Sequence, residues 1–214
     1  MEKIEGLPLD CGIAAQTLPG QVESGDKYVV IQSPDGALVA VIDGLGHGED
    51  AAVAARIAAE TLQENADESV IPLVRTCHER LRETRGVVMS IATFDPVEST
   101  VTWLGVGNVE GVLLHRDAYG TVSREILSLR GGVVGDQLPN LIASILPVSR
   151  GDTLIFATDG VRNDFLHAMM SGDPVQRLAE NILEHHARGT DDALVLTVRF
   201  FGRQKEAARG WVTE

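Results

Sequence analysis

Residues 39–48 read VAVIDGLGHG, and this stretch decides how the rest of the chain is interpreted. The apolar run over 37–42 predicts a buried strand, which places Asp43 at its C-terminal end. The glycines that follow allow a sharp turn and a close approach of the backbone to a ligand. Asp50 is then a candidate N-cap for an alanine-rich helix over 49–64. A carboxylate beside a backbone carbonyl is half of a site for a hard cation, although Asp-Gly is equally common in ordinary turns.

Composition excludes several classes of function. The chain has 214 residues, with 18 Lys and Arg against 31 Asp and Glu, and a net charge of −13. Such a surface repels nucleic acids and anionic membranes, so we expect neither as a partner. The length and the apolar fraction of 44% predict one domain with a sizeable core. We assign that domain to residues 1–200 and a polar C-terminal tail to residues 201–214.

Cysteine usage and the absence of targeting signals indicate the compartment. The two cysteines, Cys11 and Cys77, lie far apart in the sequence. This usage fits a reducing compartment without a disulfide framework. Cys77 falls on the apolar face of a predicted helix, which favours core packing over reactivity. The N-terminus has no signal-peptide pattern, and the longest uncharged run, 137–149, is shorter than the roughly 20 residues that span a bilayer. We therefore expect a cytoplasmic protein, and we expect it to be a monomer.

A predicted hairpin brings two carboxylates together. Residues 27–32 are a strand, 33–36 form a turn with proline second and glycine fourth, and 37–42 return antiparallel. Because antiparallel pairing aligns the start of one strand with the end of the next, Asp26 and Asp43 should meet at the open end of the hairpin.

The remaining pattern is rich in strands, with two helical insertions. Strong turn signals at Asp95-Pro96 and Gly107-Asn108 predict a three-stranded antiparallel meander. Two further strands are expected to form a hairpin around 150–152, and the glycine-rich stretch 131–135 to be a flexible connection. The fold class is therefore α+β, an antiparallel β-sandwich flanked by helices in αββα layers. The other predicted elements are helices over 70–84 and 174–187 and strands over 87–94, 101–106, 109–115, 141–148, 153–158 and 193–200.

Four aspartates stand at strand ends in this scheme. Asp159 ends a strand in a second Asp-Gly pair, and Asp191 opens the last strand. If these two strands pair antiparallel, two carboxylate pairs share one sheet edge and repel each other strongly at low dielectric. Ligation by oxygen alone suits two Mg²⁺ or Mn²⁺ ions, a pair that can drive in-line attack on a phosphoryl group.

These motifs and their order resemble the metal-dependent protein phosphatase 2C superfamily, in particular its compact bacterial SpoIIE/RsbX-type stress-response branch. The resemblance covers about residues 20–200. It implies the phosphatase 2C-like αββα sandwich as a single catalytic domain, without the flap subdomain because 108–152 leave little room for one. The stretches that carry it are Ser24-Gly25-Asp26, Asp43-Gly44 with the glycines after it, Gly107-Asn108, 131–135, 157–161 (ATDGV) and 191–195 (DDALV).

The resemblance assigns a role to each acidic motif residue. It implies that Asp26 helps to hold one metal ion, directly or through water. Asp43 is implied to bridge both ions, with the Gly44 carbonyl binding one of them. Asp159 and Asp191 are implied to hold the other ion. Asp192 stands where many relatives have asparagine and is a further candidate ligand.

The chain departs from the family pattern at two points. Many relatives carry a histidine two positions after the bridging aspartate, as a proposed proton donor. Leu45 stands there in this chain, and His47 follows two positions later. We take Asp43 and His47 as the candidate catalytic residues, with a structural or supporting role open for His47. The arginine near the N-terminus with which larger relatives bind substrate phosphate has no counterpart here.

The resemblance implies a metal-dependent phosphatase that acts on phosphoserine or phosphothreonine in proteins. Its implied substrates are phosphorylated STAS-domain regulators in a bacterial stress-signalling pathway that controls sigma factors. Two alternatives stay open. One is a catalytically silent relative that binds a signalling partner, and the other is a metal-dependent phosphodiesterase or nucleotide hydrolase.

Overall fold

The computed structural model describes residues 8–33, 35–116, 121–167 and 173–202. Residues 203–214, most of the predicted tail, lie outside these ranges. Within them the chain forms ten strands, three α-helices and a short 3₁₀ helix over Asn163–His167. The strands are β1 (Leu9–Gln16), β2 (Asp26–Ser33), β3 (Gly36–Gly44), β4 (Val87–Asp95), β5 (Thr100–Val106), β6 (Glu110–Arg116), β7 (Val122–Ile126), β8 (Ser144–Pro147), β9 (Thr153–Ala157) and β10 (Ala193–Phe200), and the helices are α1 (Glu49–Glu64), α2 (Val70–Arg80) and α3 (Val175–His186).

The strands form two five-stranded antiparallel sheets. The first sheet has the order β2-β3-β4-β5-β8, and the second has the order β1-β10-β9-β6-β7. The two sheets face each other across an apolar layer, to which Val41, Trp103 and Phe156 contribute. Helices α1 and α2 cover the outer face of the first sheet, and α3 covers that of the second. The predicted αββα sandwich is confirmed.

Strand β3 shows why its sequence is apolar throughout. Val39 and Val41 face the layer between the sheets, whereas Leu38, Ala40 and Ile42 face α1 and α2. Both faces of the strand are therefore buried, so strict alternation with polar residues is lost. The period of two places Asp43 on the same face as Val41, directed between the sheets.

Helix α1 begins as predicted at Glu49, but its N-cap is Gly48 and not Asp50. Asp50 lies in the first turn and forms an ion pair with Arg85 at 2.7 Å. Gly48 has a positive φ of 79°, a conformation that glycine adopts without steric cost and that ends the glycine loop. The buried alanines of this helix allow it to pack closely on the first sheet.

Two predicted strand pairings are wrong. The chain passes from the first sheet to the second after β5, so Gly107-Asn108 joins two sheets and the three-stranded meander ends at β5. Likewise β8 pairs with β5, whereas β9 pairs with β10 and β6, so the expected hairpin around 150–152 is also a change of sheet. A turn signal indicates only that the chain reverses. The sheet that the next strand joins depends on where the apolar face of that strand can be buried.

The glycine-rich stretch 131–135 is also not the flexible connection that was predicted. Val134 is fully buried and exchanges two backbone hydrogen bonds with Val87, both of 2.9 Å. The amide of Gly135 donates to Nδ1 of the buried His78 at 2.9 Å. These contacts fix the stretch against α2 and the start of β4. Cys77 is fully buried on the same helix, as predicted, and burial raises the pKa of its thiol to about 12.

None of the helices in the described ranges combines the length and apolar character that crossing a membrane requires.

Candidate metal centre

The four aspartates Asp26, Asp43, Asp159 and Asp191 form an acidic cluster. Its first half, Asp26 and Asp43, lies at the open end of the β2–β3 hairpin. Asp26 and Asp43 are directly opposite each other in the register of these strands, as the hairpin predicted. The Gly44 amide donates to the Gly25 carbonyl at 3.0 Å, which extends the pairing by one step. The amide of Asp26 donates to the Ser24 hydroxyl at 3.0 Å. The two carboxylates are thus held at one sheet end by main-chain geometry.

The second half lies where β9 ends and β10 begins. These strands pair antiparallel, with Ala157 opposite Val195, and the Thr158 amide donates to the Leu194 carbonyl at 3.1 Å. Asp159 follows β9 by two residues, and Asp191 precedes β10 by the same number. The predicted antiparallel pairing of their strands is therefore confirmed.

The two halves belong to different sheets, whereas the sequence interpretation placed both on one sheet edge. They meet across the sandwich because Thr158 continues the inward face of Leu154 and Phe156. The Thr158 hydroxyl donates to Oδ2 of Asp26 at 2.7 Å and accepts from the Leu194 amide at 2.9 Å. This single buried side chain joins the second sheet to the acidic end of the first.

Close packing requires glycine in both Asp-Gly pairs. A Cβ atom at Gly44 would lie 2.1 Å from the Ala51 carbonyl oxygen at the start of α1. A Cβ atom at Gly160 would lie 1.8 Å from the Asp192 carbonyl oxygen. Both distances are far below van der Waals contact, so any side chain would displace the backbone that carries the neighbouring aspartate.

Burial and mutual repulsion raise the pKa values in the cluster. Loss of hydration, reinforced by the charge of Asp26 and the other aspartates, raises the pKa of Asp43 to about 9. Loss of hydration is also the main cause that raises the pKa of Asp26 to about 7, against the hydrogen bond from Thr158. The pKa of Asp159 is raised by desolvation and by Asp191, although the Asn108 hydrogen bond and the Arg188 charge lower it.

The donor chemistry of this cluster fits a hard divalent cation. The donors are carboxylate oxygens, and they carry like charges that a cation would compensate. Within the described ranges, however, no three acidic, histidine or cysteine side chains converge closely enough to form a ready-made ligand set. Hydrogen bonds already occupy one oxygen in two of these carboxylates: Oδ2 of Asp26 accepts from Thr158, and Oδ2 of Asp159 accepts from Nδ2 of Asn108 at 2.9 Å.

Asp192 has a structural role that its sequence position did not reveal. Its Oδ2 accepts from the Gly25 amide and its Oδ1 from the Leu18 amide, both at 2.7 Å. The side chain is 4% exposed, and it ties the loop before β2 to the start of β10. Both oxygens therefore already have partners, which distinguishes Asp192 from its neighbour Asp191, whose Oδ1 accepts from the Asp192 amide.

His47 lies on the glycine loop and is exposed. Its Nδ1 is 3.5 Å from Nε2 of Gln21, in the same loop before β2 that Asp192 holds. Gly46 and Gly48 flank it with positive φ values of 87° and 79°. The ring is thus exposed to solvent on the loop that follows Asp43 and Gly44.

Three residues of this centre were not singled out from the sequence. Thr158 and Asn108 hold the carboxylates of Asp26 and Asp159, and Arg188 donates from Nε to the Asp159 carbonyl at 2.8 Å. Thr158 and Asn108 lie inside the quoted motifs, yet their partners are 132 and 51 positions away. Contacts at such separations leave no periodic signal in the sequence.

Comparison with known proteins identifies a family for most of the chain. The family model described as Stage II sporulation protein E (SpoIIE) matches residues 33–201. Among curated proteins, the phosphoserine phosphatase RsbX of Bacillus subtilis (strain 168) is 21% identical over 174 residues. That match covers 81% of this chain and 85% of the relative.

Solved structures share the fold of this chain. A crystal structure of RsbX in complex with magnesium superimposes with a TM-score of 0.82 at 20% identity, covering 93% of this chain and 98% of that one. A chain from a structure described as "The bacterial stressosome: a modular system that has been adapted to control secondary messenger signaling" gives a TM-score of 0.80 at 26% identity. It covers 89% of this chain and 99% of its own length.

Proposed function

This chain belongs to the stage II sporulation protein E (SpoIIE) family, and on that premise we propose that it is a metal-dependent phosphatase of phosphoserine and phosphothreonine in proteins. The observation that carries the proposal is the meeting of two Asp-Gly strand ends from different sheets. Ionising carboxylates that have lost hydration and have strongly raised pKa values is costly to the fold, and cations that bind phosphate relieve that cost.

We assign the ligands of two Mg²⁺ or Mn²⁺ ions to both halves of the cluster. Asp26, Asp43 and the Gly44 carbonyl would hold one ion, and Asp159 and Asp191, with Asp43 shared, the other. When bound, such ions neutralise the carboxylates, polarise the phosphoryl oxygens and lower the pKa of water. We assign Asp192 to positioning, because the Gly25 and Leu18 amides occupy both of its oxygens.

The chain's own residues orient these ligands. The Thr158 hydroxyl presents Asp26 to the space between the sheets, and the amide of Asn108 restrains the Asp159 carboxylate. Both are hydrogen-bond donors, so they favour the ionised form that a cation needs. The raised pKa of Asp43 favours its protonated form without metal, and a bound cation would favour the ionised form. We assign His47, which is exposed on the glycine loop, a supporting role.

The test compares hydrolysis of a phosphoserine peptide and p-nitrophenyl phosphate in Mn²⁺ and after exhaustive dialysis against EDTA. We expect activity only with the metal. Asp43→Asn and Asp159→Asn should each lower kcat by at least about 100-fold, because each removes a metal ligand. The matched control is Asp67→Asn, which removes an equal charge from an exposed position. Activity that survives the dialysis, or near-normal turnover in either ligand variant, would contradict the proposal.

One observation favours the catalytically silent alternative, since the acidic side chains of the described ranges do not converge into a ready-made ligand set. Hydrolysis assays at a Mn²⁺ concentration that calorimetric titration shows to be saturating separate the two functions. A silent relative would bind its partner without hydrolysing any phosphoester at saturating Mn²⁺. A phosphodiesterase would instead cleave bis-p-nitrophenyl phosphate faster than the monoester.

We propose a phosphorylated STAS-domain protein of a stress-signalling complex as the substrate, with both proteins in the cytoplasm. The similarity to RsbX and to a chain of a bacterial stressosome structure supports this choice. The experiment offers the enzyme a phosphorylated STAS-domain protein and an unrelated phosphoserine protein in parallel. We expect a higher kcat/KM for the first, and equal values would reject the partner while leaving the phosphatase activity in place. Light scattering during size-exclusion chromatography tests the expected monomer.

A further inference from the structure

The acidic centre poses an electrostatic problem for any phosphorylated substrate. The chain carries a net charge of −13, and the cluster itself consists of aspartates. Within the described ranges, Arg188 is the one cation that shifts the pKa of an aspartate of the cluster, and it lowers the pKa of Asp159. The guanidinium therefore lies within electrostatic reach of the cluster.

Main-chain contacts place Arg188 beside the second Asp-Gly pair. Its amide donates to the Gly160 carbonyl at 2.8 Å, and its Nε donates to the Asp159 carbonyl at 2.8 Å. One residue earlier, Ala187 forms an isolated bridge with Val161. The segment after α3 is thus fixed along the Asp159 turn, and the guanidinium is anchored at one of its three nitrogens.

The rest of this guanidinium has no partner in the described part of the chain. Its two terminal nitrogens form neither a hydrogen bond nor an ion pair there, and the residue is exposed. The nearby Arg162 differs, because its guanidinium lies 3.5 Å from Asp164 and donates to the His185 carbonyl. Arg85 near the glycine loop is likewise paired with Asp50. Within the described ranges no ion pair joins Arg188 to the Asp159 carboxylate, whose Oδ2 accepts from Asn108, although the Arg188 charge lowers the pKa of that carboxyl.

We propose that Arg188 binds the phosphate of the substrate at the rim of the acidic centre, with Nε anchored to Asp159 and the terminal nitrogens donating to two phosphate oxygens. A guanidinium fork matches the spacing of phosphate oxygens, and charge-assisted pairs of this type are among the stronger hydrogen bonds in proteins. The inference rests on the proposed phosphatase function and adds a substrate-binding residue to it.

The test uses Arg188→Gln and Arg188→Lys, with Arg177→Gln as the control, since Arg177 is an exposed arginine on α3. The measurements are kcat and KM for a phosphoserine peptide, and calorimetric Kd values for inorganic phosphate and for Mn²⁺. The phosphate is bound before and during the reaction, so we expect Arg188→Gln to raise KM and the phosphate Kd by about 10- to 100-fold with kcat little changed. Arg188→Lys keeps the charge without the fork and should raise both by a smaller factor, about 3- to 10-fold.

A purely structural clamp on Asp159 would give a different result. In that case the Mn²⁺ Kd would rise and kcat would fall, whereas the phosphate Kd measured at saturating Mn²⁺ would match that of Arg177→Gln. This outcome overturns the inference, as does a phosphate Kd within about twofold of the control in both variants. If Arg188→Gln fails to fold by circular dichroism, Arg188→Lys alone decides. Failure of the proposed function is recognised separately, since the unmodified protein would then hydrolyse no phosphomonoester at saturating Mn²⁺.

Discussion

Thr158→Val is the substitution that most directly tests how the two sheets are joined at the acidic centre. The side chain is 1% exposed, donates to Asp26 and accepts from the Leu194 amide. Valine has nearly the same shape, so the change removes both hydrogen bonds without opening a cavity. It leaves a buried amide without an acceptor and a buried carboxylate without a donor.

The expected loss of stability follows from these two groups. A buried unsatisfied amide costs about 1–3 kcal/mol, and a hydrogen bond to a charged group contributes about 1.5–3 kcal/mol. Because both bonds share one hydroxyl, we expect about 3 kcal/mol in total for Thr158→Val. Thr158→Ser keeps the hydroxyl and deletes one buried methyl group, for which we expect about 1 kcal/mol.

The assay is urea unfolding in EDTA at about pH 8, followed by the fluorescence of the buried Trp103. We expect the midpoint to fall for Thr158→Val with an unchanged m-value, and to fall much less for Thr158→Ser. At about pH 5 Asp26 is protonated, since its pKa is about 7. The loss of stability caused by Thr158→Val should therefore be smaller at pH 5 than at pH 8. Equal stabilities of the two variants at pH 8 would refute the assigned hydrogen bonds.

Two further predictions concern protons and His47. Folding raises the pKa values of Asp26 and Asp43 to about 7 and about 9, so the folded state without metal retains protons that the unfolded state releases. In EDTA the Tm should therefore fall as the pH is increased from about 5 to about 9, while the stabilisation by Mn²⁺ grows over the same range. A Tm that increases with pH in EDTA would contradict this. His47→Ala should lower kcat by less than about tenfold, because the ring is exposed on the glycine loop. A loss equal to that of Asp43→Asn, with an altered pH profile, would make it a proton donor.

The parts of this fold that could be predicted from the sequence rest on local physics. Antiparallel pairing across a four-residue turn places Asp26 opposite Asp43 whatever the rest of the chain does. The alanine-rich helix over 49–64 has the bounds that its pattern indicated. In α3 the apolar positions that the helical period selects, such as Leu178 and Ile182, are buried.

Other features depend on contacts between distant segments. The turn at Gly107-Asn108 has the composition of a hairpin, but β6 pairs with β9 in the other sheet. The 131–135 stretch has the glycine content of a flexible linker, but His78 and Val87 hold it. Thr158 joins Asp26 only because the two sheets face each other. In each case the local pattern gave no information on the distant segment with which these residues interact.

The charge distribution has a consequence for how a phosphorylated partner reaches the centre. The four aspartates that we propose as ligands carry four negative charges when ionised, which two divalent cations would balance, so the Arg188 guanidinium would leave the loaded rim slightly positive. The surrounding surface stays strongly negative, with 31 acidic residues against 18 basic ones in the chain. Because screening limits interactions between exposed charges to about 8–10 Å at physiological salt, attraction acts only once the phosphate is at the rim. Long-range steering of an anionic substrate is therefore unfavourable, and the encounter must depend on contacts between the two protein surfaces, which is a physical reason to expect a specific protein partner rather than small phosphoesters.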